Sequence, residues 1–96
     1  MAKYRIYRLA ATDLDAIAEF SIDRFGVDQA RLYRDQLKDR FSQLAENPAL
    51  GRRAEQLAQG LRRFEHGSHI IFYIPSGSGI LAVRVLHYHM DVARRF

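Results

Sequence analysis

The chain contains no cysteine. This absence excludes a disulfide framework, thiolate chemistry and zinc sites built on cysteine ligands. No apolar run approaches the ~20 residues that a membrane span needs. The first residues, Met1 to Arg5, also lack the apolar stretch of a signal peptide. The sequence therefore predicts a protein of the cytoplasm.

Motifs of the common cofactor and metal sites are missing as well. The sequence has no glycine-rich phosphate loop and no nucleophile elbow. The chain has four histidines but no HExxH motif, cysteine pair or carboxylate cluster. We therefore predict neither a metal site nor a cofactor. No recognition-helix or single-strand-binding motif is evident, and we expect no direct sequence-specific DNA binding by this chain alone.

The net positive charge of the chain comes entirely from its second half. Residues 1–50 carry 8 Lys/Arg and 8 Asp/Glu, whereas residues 51–96 carry 7 Arg and 3 Asp/Glu, so the second half supplies the whole formal net charge of +4. Such a segment indicates an acidic or phosphate-bearing partner, or simply a solvated surface. Charge alone leaves both interpretations open.

The first half of the chain has the pattern of a strand followed by two helices. Alternation over residues 4–8 predicts a short strand. Thr12 has the character of a helix N-cap, and Gly26 of the glycine that ends that helix. Asp28 is expected to cap a second helix, which stops at Asn47-Pro48. The apolar positions at helical spacing are Leu14, Ile17, Ala18, Ile22 and Phe25 in the first helix and Ala30, Tyr33, Leu37, Phe41 and Leu44 in the second.

The second half has the pattern of a sheet. Strands are predicted over residues 61–66, 69–74 and 80–87, joined by a two-residue turn at Gly67-Ser68 and a second turn over residues 75–79. Residues 53–58 are expected to contain one helical turn, and residues 90–96 another. In the last strand, simple alternation places Leu81, Val83, Val85 and His87 on one face and Ile80, Ala82, Arg84 and Leu86 on the other.

This order of elements predicts an α+β fold in a single domain spanning residues 1–96. It comprises an N-terminal strand, an antiparallel helical hairpin, a three-stranded antiparallel meander and a short C-terminal helix or tail. We expect the helical hairpin to cover one face of the sheet. The other face is then left for a partner.

Residue types suited to metal-free RNA cleavage occur in the basic half. Such cleavage needs a base, a cation for the phosphate and an acid for the leaving oxygen. Glu55, Arg62 or Arg63, Arg84 and His87 could supply them. Alternatively, Glu55 is a loop carboxylate, the arginines bind a protein partner, and His87 ends a strand. Residue types alone do not decide between these interpretations.

The order of short segments along nearly the whole chain resembles the RelE/ParE toxin superfamily. The segments are Tyr4-Arg5-Ile6, Ala11–Ile17, Phe25-Gly26, Ala30–Tyr33, Leu44–Pro48, Gly51-Arg52, Gly60-Leu61-Arg62, Ile71-Phe72-Tyr73, Arg84–His87 and Met90-Asp91. The ending Leu86-His87 with Met90-Asp91 is most similar to the ParE branch. The resemblance implies a compact α/β toxin of a type II toxin–antitoxin pair, whose partner is a ParD-like antitoxin that wraps the toxin.

The resemblance also implies a target. ParE-like proteins act on DNA gyrase, trapped with cleaved DNA, whereas RelE-like relatives cut mRNA on the ribosome. Some mRNA-cleaving relatives carry a phosphate-binding arginine directly after a histidine in the middle hairpin strand. Here His69 is followed by Ile70, so that cation is missing. We therefore predict a non-enzymatic inhibitor of gyrase, with a RelE-type endonuclease that uses Glu55, Arg84 and His87 as the alternative.

Two sets of binding residues follow from this interpretation. Apolar side chains of the antitoxin are predicted to fill a groove on the platform that the helical hairpin and the sheet form. Acidic antitoxin side chains are predicted to pair with Arg52, Arg62, Arg63 and Arg84. The predicted contact with gyrase is the C-terminal group Arg94, Arg95 and Phe96, chosen for its charge and its freedom from the core.

Overall fold

The computed structural model describes residues 3–96; Met1 and Ala2, the start of the predicted domain, lie outside the described residues. Within that range the strands are β1 (Tyr4–Ile6), β2 (Arg52–Arg53), β3 (Arg62–His66), β4 (His69–Ser76) and β5 (Gly79–His87). The helices are α1 (Arg8–Phe25) and α2 (Val27–Glu46), with 3-10 turns at Pro48–Leu50 and Val92–Arg95. The predicted α+β class is confirmed, as are the helical hairpin, the meander and the short C-terminal helical turn.

The strands form one sheet in the order β1-β5-β4-β3-β2. Strand β1 pairs with β5 in parallel, and the remaining pairs are antiparallel. The two-residue strand β2 was not predicted, and the helical turn expected within residues 53–58 is wrong. In its place, the Ala54 amide donates to the Leu61 carbonyl at 2.8 Å and the Leu57 amide to the Ala54 carbonyl at 3.0 Å, which closes a turn. A two-residue strand is too short to leave a periodic signal in the sequence.

Both helices begin earlier than predicted. Helix α1 starts at Arg8, directly after an extended Tyr7, and no side chain caps it. Thr12 therefore lies inside the helix, where its hydroxyl donates to the Arg8 carbonyl at 3.2 Å. Gly26, with a φ of 88°, ends α1 as predicted and also begins α2, so Asp28 lies in the first turn instead of capping the helix. A glycine can join two helices so tightly because a positive φ carries no Cβ penalty there.

The helical hairpin covers one face of the sheet. Its α2 stripe buries Leu37, Phe41 and Leu44 against Ile71 and Tyr73 of β4, as the helical spacing predicted. Tyr73 also fixes the next connection, because its hydroxyl donates to the Pro48 carbonyl at 2.7 Å and accepts from the Gly51 amide at 2.8 Å. These bonds position the chain for β2.

The opposite face of the sheet is covered too, which corrects the expectation that it is left open. Phe72, Ile70 and Leu86 are buried there beneath the turn that contains Ala54 and Leu61. Val92 of the C-terminal turn packs against the same cluster. Apolar side chains on both faces of β4 therefore mark a central strand, as expected for a strand without a polar face.

The predicted alternation in β5 fails halfway along the strand. Tyr73 faces Ala82 and Phe72 faces Arg84, so Val83 is an extra residue without a partner on β4. This bulge places Ile80, Ala82 and Val85 on the helix-covered face and Val83 and Leu86 on the opposite face. No helix in residues 3–96 is long and apolar enough to span a membrane.

Candidate partner-binding site

A groove of about 840 Å³ opens between the helical hairpin and the adjoining ends of β4 and β5. Helix α1 contributes Phe20 and Phe25 to one wall, and the sheet contributes His69 and His87 to the other. Met90, just beyond β5, closes one end. The groove is open to solvent along its length and its lining is mainly apolar.

The apolar side chains of the groove are exposed although they belong to a helix that packs on the sheet. Phe20 is 59% exposed and Phe25 is 63% exposed. Phe25 was predicted to belong to the buried stripe of α1. It is exposed at the C-terminal end of α1, where it lines the groove. Large apolar side chains gathered at a groove indicate a binding surface for another molecule.

Hydrogen bonds fix the polar part of the groove wall. The Tyr33 hydroxyl of α2 lies 2.7 Å from Nδ1 of His69 and donates to the His66 carbonyl at 3.2 Å. Gly67, with a φ of 56°, passes so close that an added Cβ would lie 3.0 Å from the Tyr33 hydroxyl oxygen. The Tyr33–His69 contact therefore joins α2 to the turn between β3 and β4 and defines this end of the groove.

The surroundings of the two histidines of the β3–β4 hairpin lower the pKa of both imidazoles. Burial, together with neighbouring His87 and His66, lowers the pKa of His69 from 6.5 to about 4. Burial and the nearby Arg40 guanidinium also lower the pKa of His66. A neutral His69 suits a groove that receives an apolar group, because protonation would place a charge in it.

A partly buried ion pair forms the edge of the groove where α1 meets β5. Asp13, a lining residue, accepts from Nε of Arg84 at 2.8 Å and from Nη2 at 2.9 Å. Its carboxylate also accepts from the Val85 amide at 2.9 Å. That amide is available because β1 pairs with β5 only as far as Ala82. The bond to Asp13 raises the pKa of Arg84.

The three residues of the predicted nuclease alternative are held by separate partners. The Glu55 carboxylate lies 3.9 Å from Nε of Arg53, beyond the far edge of the sheet. Arg84 is held by Asp13, and His87 stacks on the rings of Tyr88 and His89. Two strands separate β2 from β5, which corresponds to about 14 Å at the usual strand spacing. Ile70, which stands where some mRNA-cleaving relatives carry a phosphate-binding arginine, is buried on the face of the sheet away from the helices.

The four arginines predicted to bind the antitoxin do not form one surface. Arg84 lies beside the groove, while Arg62 donates to the Gly51 carbonyl at 2.6 Å at the other side of the sheet. Arg52 and Arg63 face each other across β2 and β3 on the face away from the helices. Arg52 pairs with Glu65 at 3.0 Å, and Arg63 lies 3.8 Å from the same carboxylate. The antitoxin contacts of all four arginines remain predictions.

The C-terminal group is only partly free of the core. Arg94 is highly exposed and pairs with Asp91 at 3.3 Å, and Arg95 is exposed. The Phe96 ring, however, packs edge-on against Phe72, with 4.9 Å between the ring centroids. The assumption that Phe96 is independent of the core is therefore wrong, and the gyrase contact of this group remains a prediction.

Sequence reasoning predicted a groove on the helical hairpin and sheet but did not identify its residues Asp13, Phe20, Tyr33 and His69. One signal was available: α1 carries Phe20 outside its predicted apolar stripe, so the helix has more apolar positions than one buried stripe needs. In the described part of the chain, no group of three or more His, Asp or Glu side chains is arranged to hold a metal ion.

The fold and the groove together define a small α+β protein with a surface suited to an apolar segment of a partner. Comparison with known proteins identifies the family. The family model described as the ParE toxin of the type II toxin–antitoxin system parDE matches residues 4–92. The chain therefore belongs to the ParE toxin family, and the resemblance noted in the sequence is confirmed.

Curated relatives extend over almost the whole chain. Toxin ParE1 of Mycobacterium tuberculosis is 38% identical over 94 residues, which cover 97% of this chain and 96% of the relative. Toxin ParE1 of Caulobacter vibrioides is 41% identical over 91 residues, which cover 95% and 94%. A solved structure of the chromosomal ParDE system from P. aeruginosa shares the fold, with a TM-score of 0.74 and 21% identity over 91% of this chain and 96% of that chain.

Proposed function

We propose that this ParE-family chain is neutralised by a ParD-like antitoxin that inserts an apolar segment into the groove. The observation that carries the proposal is the exposure of Phe20 and Phe25 on the groove wall. Burying such a ring stabilises a complex by roughly 1.5–3 kcal/mol. The neutral His69 and its bond to Tyr33 give the wall a fixed shape, which favours one bound arrangement.

Within this proposal the arginines have different roles. Arg84 is already satisfied by Asp13, so it shapes the edge of the groove, and an antitoxin carboxylate would have to compete with Asp13 for it. Arg52, Arg62 and Arg63 lie at the far side of the sheet. An antitoxin that wraps the toxin would reach them only after leaving the groove.

A pair of double variants tests the groove. Phe20→Ser/Phe25→Ser removes both exposed rings, and we expect binding of the cognate antitoxin, measured by calorimetry, to weaken at least about tenfold. The matched control is Ile22→Ser/Leu32→Ser, because these side chains are also exposed on the helical hairpin but do not line the groove. Equal losses in the two double variants would overturn the assignment of the groove.

We further propose that the toxin inhibits DNA gyrase by binding, without making or breaking bonds. The separation of Glu55, Arg84 and His87 into three sets of contacts supports this view, because a nuclease needs its base, cation and acid around one phosphate. Arg94, Arg95 and Phe96 are the proposed contact with the target, since the two arginines are exposed and Phe96 holds them against the fold.

Purified toxin assayed side by side on gyrase supercoiling and on ribosomal mRNA cleavage tests this proposal. We expect loss of supercoiling, accumulation of cleaved DNA and intact mRNA, and we expect His87→Ala to retain gyrase inhibition. mRNA cleavage that falls roughly 10²–10⁴-fold in His87→Ala would instead establish a general acid or base and the endonuclease alternative. For the contact residues, Arg94→Gln/Arg95→Gln keeps Phe96 in place, so weaker inhibition by this variant can be attributed to charge.

A further inference from the structure

The face of the sheet away from the helices carries a cluster of arginines that the groove does not use. Arg63 lies over the Phe72 ring, with 5.7 Å between its guanidinium carbon and the ring centroid, and Phe96 packs on the same ring. The C-terminal turn is thereby brought next to β3. We call this surface the arginine face; it consists of Arg52, Arg63, Glu65 and Phe96, together with the exposed Arg94 and Arg95 that directly precede Phe96 and with Asp91, which pairs with Arg94.

The positive charges of the arginine face are only half compensated, because its four arginines have two carboxylate partners, Glu65 and Asp91. Arg52 and Arg63 stand directly opposite each other in the β2–β3 register and share one carboxylate, Glu65. Like charges in that position destabilise a strand pair. The repulsion between Arg52 and Arg63 is unfavourable in the free protein, and an anion bound beside the two guanidinium groups offsets it.

We propose that the arginine face binds the phosphate backbone of double-stranded DNA without reading its sequence. Guanidinium groups pair with phosphates in a planar, two-bond geometry, and an array of them is the usual means of contacting a nucleic-acid backbone. The proposal concerns a partner and a surface outside the groove. It does not require gyrase to be the target.

Two observations favour duplex DNA over other polyanions. An acidic peptide strand would add to the free edge of the sheet, but β2 has only two residues and offers few backbone bonds. Single-stranded nucleic acid is bound by several aromatic platforms, and of the residues that form the arginine face only Phe96 is aromatic. A surface of charges without stacking rings suits a regular backbone.

Binding of a fluorescein-labelled duplex of about 20 base pairs, followed by anisotropy at several salt concentrations, tests the proposal. Four arginine–phosphate contacts predict a slope of log K against log salt of about −3 to −4. We expect Arg94→Gln/Arg95→Gln to reduce the slope by about 2. The matched control, Arg31→Gln/Arg34→Gln, removes the same charge from the exposed side of α2 and should leave the slope within about 0.5 of the wild type.

Several results would overturn the proposal. They are absence of binding at low salt, equal losses in the two double variants, binding of double-stranded RNA but not DNA, and displacement of the duplex by poly-glutamate as effectively as by unlabelled DNA. The assay contains neither gyrase nor antitoxin, so its failure would leave the proposed function intact. Circular dichroism of each variant confirms that the fold is retained.

Discussion

The helix-covered face of the sheet and the arginine face are both supported by buried apolar layers, but the layers have different covers. Two regular helices lie over the first, and their far end leaves an apolar groove with Phe20 and Phe25 on its wall. A turn and the C-terminal segment lie over the second, and they bring cations to the surface. The difference shows how a 96-residue chain can offer two chemically distinct surfaces from one sheet.

Of the tests of this comparison, the largest change in the free energy of unfolding is expected at Asp13, which joins α1 to β5 on the groove side. Asp13→Asn leaves the poorly exposed Arg84 without its counter-charge. We expect the free energy of unfolding to fall by about 3 kcal/mol in urea denaturation. Asp15→Asn, an exposed carboxylate on the same helix, is the control. If the effects of Asp13→Asn and Arg84→Gln simply add in the double variant, the two residues are not coupled and the prediction fails.

A smaller loss of stability is expected at Tyr73, whose hydroxyl accepts a hydrogen bond from the Gly51 amide, directly before the strand that carries Arg52. Tyr73→Phe leaves the Gly51 amide and the Pro48 carbonyl without this partner, which should lower the free energy of unfolding by about 2 kcal/mol. The Ala54 amide, bonded to Leu61 beside β2, should also exchange faster. Tyr88→Phe, at an exposed ring, is the control. Unchanged exchange at Ala54 would show that β2 does not depend on Tyr73.

Phe96 provides a weaker test, restricted to the arginine face. Phe96→Ala removes the ring contact with Phe72, worth about 1 kcal/mol, and should release the segment that contains Arg94 and Arg95. Trypsin should then cleave at these arginines about fivefold faster. Leu32→Ala removes an apolar side chain that is also exposed, on α2, and should not change the cleavage. Equal cleavage rates in wild type and Phe96→Ala would show that the segment is held by other contacts.

The same comparison explains which parts of the molecule could be predicted from the sequence. The α2 stripe and the meander follow from periodicity, because one regular element packs against one continuous layer. The bulge at Val83 could not be predicted in this way, since an extra residue leaves the apolar pattern of β5 intact and changes only which face each side chain occupies. Simple alternation predicted that Arg84 shares a face with Ile80 and Ala82, and this prediction is wrong because of the bulge.

The residues that line the groove were missed for a related reason. Periodicity identifies the apolar positions of α1, but whether Phe25 is buried depends on what the sheet places opposite, and that is a property of the tertiary structure. Ion pairs such as Asp13–Arg84 join residues that are 71 positions apart, which no local pattern can indicate. The charge asymmetry of the two halves was visible in the sequence, yet only the fold shows that Phe96, next to the C-terminal arginines, packs on the same Phe72 ring as Arg63.

The smallest expected effect concerns His69, the titratable group of the groove wall. Tyr33, His66 and His87 surround it, and its pKa is lowered from 6.5 to about 4 in the folded protein. Between these values the unfolded chain binds a proton that the folded protein does not, so stability is full above pH 6.5 and falls as the pH decreases toward 4. Because His69 is only half-buried, we expect its share of the loss of stability between about pH 7 and 5.5 to stay below about 1 kcal/mol.

Urea denaturation at several pH values tests this expectation. The free energy of unfolding should depend less steeply on pH in His69→Gln than in the wild type, while His89→Gln, at an exposed site, should match the wild type. If His69→Gln has the same pH dependence as the wild type, the acid sensitivity does not originate in the groove.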